Sequence, residues 1–122
     1  MRRPRFEDLV ARALDDLPPD VLAAMDNVEV TIEEEPSREV REEFELEDDE
    51  TLFGVYRGTP LIDRGYANEP LLPDRIIIYQ GPLEDSFDRV EDLVEEIRRT
   101  VIHEVAHYIG MDEEEIDDLG YG

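Results

Sequence analysis

Cysteine is absent from the 122 residues, and so is lysine. Without thiols the chain forms no disulfide and offers no thiolate to a metal, so nitrogen and oxygen must hold any bound cation. The lack of lysine leaves arginine as the basic residue throughout, and no function follows from that. Long apolar runs are missing too, and no stretch of the sequence could span a bilayer. The basic start, MRRPR, leads straight into the amphipathic Phe6-Glu7-Asp8-Leu9 rather than into the hydrophobic region of a secretory signal. These absences predict a cytoplasmic protein with no membrane contact. Positive charge is scarce: 12 basic residues stand against 35 acidic ones, for a formal net charge of −23. Binding to nucleic acid needs a positive face, so that class is excluded. The acidic excess serves solubility and would steer cationic partners. The length suits one domain, residues 1–122, with a core large enough to fold unaided.

Apolar periodicity then assigns the elements. Phe6, Leu9, Val10, Ala13, Leu14 and Leu17 recur at helical steps until Pro18-Pro19 ends the run, and residues 21–25 form a second short helix. Residues 28–32 (VEVTI) alternate apolar and polar, as a half-buried strand does. Residues 33–50 are acidic with few anchors, which predicts a mobile excursion. Residues 52–56 and 75–80 have the aromatic and β-branched content of strands, and the turn-rich stretch 58–70 between them reads as a loop. A long helix is expected from Ser86 or Asp88, where Asp88 and Glu91 make a start signature. Val90, Val94, Ile97, Val101, Val105 and Tyr108 form its stripe, with Ile102, Val105 and Ile109 burying other faces, and Gly110 ends it. Asp112 with Glu115 opens a last short helix through Ile116 and Leu119. The sum is a single α+β domain.

The long helix ends in His103-Glu104-Val105-Ala106-His107. One helical turn separates the two histidines, which puts both rings on one face with Cβ atoms about 5–6 Å apart. That spacing suits two imidazole nitrogens meeting one Zn²⁺ at about 2.0–2.1 Å. Glu104 points to the neighbouring sector, close enough to take a proton from a water at the metal without ligating it. These two histidines are the only ones in the chain. The plainer reading is a pair of histidines hydrogen-bonded at a helix end. A catalytic zinc needs a third protein ligand. The pattern H-E-x-x-H-x-x-G-x-x-H of metzincins carries Gly110 at its glycine and an acid, Glu113, where they have histidine. Glu113 is the expected third ligand and Asp112 its rival, Asp112 being better explained as a helix cap.

These residues give the chain a resemblance to the small bacterial zincin-like metallopeptidases. It is carried by FEDLV at residues 6–10, LFGVYRGTPL at 52–61, PDRIIIY at 73–79 and, most specifically, TVIHEVAHYIG at 100–110. The resemblance implies a minimal zincin-like fold, with a small mixed sheet packed on the motif helix. It also implies that residues 52–56 flank a cleft and can pair with an extended peptide. The function it implies is zinc-dependent hydrolysis of a peptide or protein substrate, with Glu104 as general base and His103, His107 and Glu113 on the metal. Met111 lies too close behind the motif to form a metzincin methionine turn. A non-catalytic metal-binding or interaction module on the same scaffold is the alternative. Tyr56, Tyr66, Tyr79, Tyr108 and Tyr121 are conceivable oxyanion donors, but core or edge packing explains them more simply.

Overall fold

The fold is built around a strand buried on both faces. The computed structural model describes residues 1–58 and 74–118, and of Glu113 only the backbone. The described elements are α1 (Arg3–Asp15), α2 (Pro19–Ala24), β1 (Val28–Glu33), α3 (Arg38–Glu43), β2 (Gly54–Arg57), β3 (Asp74–Tyr79), α4 (Gln80–Ser86), α5 (Val90–Tyr108) and α6 (Glu113–Asp118). None of the described helices is long and apolar enough to cross a membrane.

The described strands form a mixed sheet of order β1-β3-β2, with β1 parallel and β2 antiparallel to β3. In the central β3 every residue from Ile76 to Tyr79 is buried. Ile76 and Ile78 face the main core, where Phe6, Leu9 and Ala13 of α1 meet Ile97, Val101 and Val105 of α5. Ile77 and Tyr79 project from the opposite face and pack with Val55 and Leu52. The period-two alternation read in residues 28–32 is therefore real: Val28, Val30 and Ile32 all lean on the main core. This is an α+β arrangement with a small mixed sheet on the long helix, as expected.

Three local expectations are corrected. The acidic stretch 33–50 contains α3. Ser37 caps it by accepting from the Val40 amide at 3.2 Å, and Val40 is buried. Arginines organise the surrounding acids: Arg41 donates to the carbonyls of Glu47 and Glu50, and Arg57 of β2 pairs with Glu43. The Asp88–Glu91 signature is not used, since α5 starts after Arg89 with no side-chain cap. Phe87 explains the delay. Its backbone is extended and its ring packs on Phe53, with centroids 5.8 Å apart, so the chain breaks between α4 and α5 there. The third correction is at the far end, where Tyr108 is 49% and Ile109 56% exposed. Tyr108 leans on Tyr56 of β2 by ring stacking and Ile109 is the C-cap of the helix, so neither closes over the main core. Residues 59–73, with most of the expected loop and Tyr66, and residues 119–122, with Leu119 and Tyr121, lie outside the described residues.

Candidate active site

Helix α5 supplies both the core and the site because its faces divide the work. Leu93, Ile97, Val101, Ile102, Val105 and Ala106 are buried. His103 and Glu104 are half-buried on the adjoining sector, and His107 is exposed. The His103 and His107 rings approach edge to face, with centroids 4.6 Å apart and Nε2 atoms 3.0 Å apart. At that distance the two Nε2 atoms share a hydrogen bond whose donor depends on the tautomer, which is the plainer reading of the pair. Two nitrogens bound to one tetrahedral Zn²⁺ stand about 3.3 Å apart, a separation close to the one found here.

The helix ends where the glycine reading placed it. Gly110 has φ +97°, a conformation that favours glycine. The Gly110 amide donates to the His107 carbonyl and the Met111 amide to that of Ala106, both at 3.0 Å. That is the hydrogen-bond pattern of a Schellman turn. Asp112 then accepts from the Glu115 amide at 2.8 Å through Oδ1 and caps α6. The backbone of Glu113 is the first residue of α6, but its side chain lies outside the described set. Among the described residues no group of three His, Cys, Asp or Glu side chains stands ready for a metal, so the structure gathers the histidine pair without bringing Asp112 to it.

Strand β2 is fitted closely to α5. Its Gly54 leaves so little room that an added Cβ would lie 2.7 Å from Thr100 Cγ2 and 3.0 Å from the Ile77 carbonyl. Two residues on, the Tyr56 ring stacks on Tyr108 with centroids 4.2 Å apart. The Tyr56 hydroxyl donates to Oδ2 of the buried Asp74 at 2.7 Å. Gly54 and Tyr56 therefore face the helix while Val55 faces the other side of the sheet. A cavity of about 550 Å³ opens beside these contacts. One wall is residues 51–54 with Ser86; the other is Glu96, Arg99, Thr100, His103 and Glu104 of α5.

A family model for zincin-like metallopeptidases matches residues 25–122. The chain belongs to that family. No curated protein matches it at a significant level. Among solved structures, a conserved hypothetical protein from the bacterium T. thermophilus is similar at a TM-score of 0.58 and 21% identity. The match covers 88% of this chain and 94% of the other, and at that identity the likeness is one of fold.

Against this zincin-like frame, two site residues escaped the sequence reading. Glu96 and Arg99 line the same cavity as His103 and Glu104. Glu96 precedes His103 by seven residues, two helical turns, and that spacing was the available signal. Its carboxyl is held above the usual carboxylate range by burial, an effect that Arg99 opposes and Glu95 reinforces. Tyr56 and Tyr108 are occupied in a mutual stack, and Tyr79 lies in the layer behind the sheet.

Proposed function

We propose that this zincin-like protein is a zinc-dependent peptidase acting on an extended peptide in the cavity between β2 and α5. The observation that carries the reading is the approach of the two Nε2 atoms to 3.0 Å, with His103 and Glu104 on one wall of the cavity. His103 and His107 would hold the ion through neutral imidazole nitrogens. Glu113 is the proposed third ligand. Supporting it, the Schellman turn at Gly110 redirects the chain directly before it, and the capping bond already engages one oxygen of Asp112. Zinc, when bound, supplies a Lewis acid for the scissile carbonyl and lowers the pKa of a water to about 7.

The side chains do the remaining work. Glu104 accepts a proton from the attacking water and later delivers it to the leaving amine. Strand β2, at the edge of the described sheet, would pair with the substrate backbone, and its approach, residues 51–53, would line the path. The net charge of −23 supports peptides over nucleic acids as substrates.

The test is a purified-protein assay of zinc content beside cleavage of a diverse peptide library. Glu104→Gln should retain about one zinc per chain and lose cleavage by at least about two orders of magnitude. His103→Ala should lose the metal as well. A wild-type protein that holds zinc tightly and cleaves nothing would instead assign the scaffold to a non-catalytic metal-binding module.

A further inference from the structure

Strand β2 meets α5 along one face of the helix. Thr100, Glu104 and Tyr108 are spaced by four and so lie one above another on that face. Gly54 is fitted against Thr100 and the Tyr56 ring against Tyr108, which leaves Glu104 between the two contacts. Thr100 stands in a stretch whose neighbours Ile97, Val101 and Ile102 are buried, so the core already fixes it. Tyr108 stands in the last turn, where His107, Tyr108 and Ile109 are all exposed. A last turn frays unless something outside the helix secures it. Here the Tyr108 ring lies on Tyr56, with 4.2 Å between centroids and 14° between planes. Tyr56 is secured in turn, since its hydroxyl donates to the buried Asp74 of the central strand. The Asp74 amide itself donates to the Asn27 carbonyl at 3.1 Å. A chain of contacts thus runs from β3 through β2 to the residue after His107.

We infer that Tyr56 and Tyr108 are positioning residues, whose stack fixes the turn carrying His107 and so sets how tightly the histidine pair takes up zinc. Two imidazoles on successive turns hold one ion only while both turns are formed. Apparent affinity therefore scales with the fraction of chains in which the last turn is in place. An aromatic pair contributes enough to change that fraction several-fold. This inference rests on the metal-binding part of the proposed function, but not on turnover.

The experiment titrates metal-free protein with zinc against a chromophoric chelator, and follows hydrogen–deuterium exchange of the metal-free chain alongside. Tyr108→Leu and Tyr56→Leu should each weaken zinc binding roughly three- to tenfold, and the double variant little further, since each breaks the same stack. Tyr108→Phe keeps the ring and should bind zinc as the wild type does. The Gly110 and Met111 amides, whose bonds close the last turn, should exchange faster in both leucine variants before any metal is added. Ile97→Val trims the buried core face of α5 away from the last turn. It should lower the melting temperature yet leave zinc affinity unchanged, which separates positioning from loss of stability. Wild-type affinity in Tyr108→Leu, unaltered exchange of those two amides, or an equal loss in Ile97→Val overturns the inference. A wild-type chain that takes up no zinc overturns it together with the metal site. Zinc held tightly with no peptide cleaved, and held more weakly by the leucine variants, would sink the peptidase and leave the positioning role standing. Cleavage by the wild type, with zinc bound equally by Tyr108→Leu, would do the reverse.

Discussion

The hydroxyl of Tyr79 sits fully buried behind the sheet and finds no hydrogen-bond partner among the described residues. An unsatisfied buried hydroxyl is costly, so Tyr79→Phe should raise unfolding stability by about 1 kcal/mol in urea titrations. Desolvation first, then Glu33, pushes its pKa up from 10.0, with Arg57 and Arg75 opposing. The folded protein therefore keeps this proton where the unfolded chain has lost it. The stability linked to it is intact below pH 10 and is lost as the pH climbs further. The phenylalanine variant should lose less stability over that alkaline range. Glu96 obeys the same sign at lower pH. Its pKa is raised above 4.5, so well below that pH, at about pH 3, it is protonated in both states and resembles glutamine. As the pH rises through 4.5 the folded state loses stability through it, and Glu96→Gln should melt higher than wild type at pH 7 but not at about pH 3.

Among elements, the contact between β2 and α5 is the tightest at the site. Gly54→Ala would drive a methyl into Thr100 Cγ2, 2.7 Å away, and should cost about 1–3 kcal/mol. Thr100→Ser removes that methyl, so the double variant should recover part of the loss; simple additivity of the two changes would contradict the steric account. Gly110→Ala meets nothing within 4 Å among the described residues, and its cost of about 1–2 kcal/mol would come from backbone conformation. The same elements show what could be read beforehand. The α5 stripe from Val90 to Val105, the β1 alternation and the Asp112 cap follow from local spacing, and each is present, whereas Tyr108 at the end of the stripe is exposed. Helix α3 was hidden because its anchors are one buried valine and long-range arginine contacts such as Arg57–Glu43, which no local period records. The i, i+4 spacing foretold that the histidine rings would meet. Glu96 was not foreseen, since only the approach of residues 51–54 turns that face of the helix into a cavity wall.

For the whole molecule, 35 acidic side chains against 12 basic ones imply self-repulsion in the compact state. Raising ionic strength from 0.01 to 0.5 M should therefore raise the melting temperature, and a flat response would show the charges already compensated by the arginine pairs. Strand β2 touches α5 twice, through a missing side chain at Gly54 and a ring stack at Tyr56, and bonds to the buried β3 along its other side. Strand and helix thus behave as a single plank. In hydrogen–deuterium exchange their amides should open together and late, while α3, tethered through surface arginines, labels first. Any widening of the cleft to admit a bulky peptide must then come from residues 51–53 and Ser86, because the side carrying the histidines has nowhere to give.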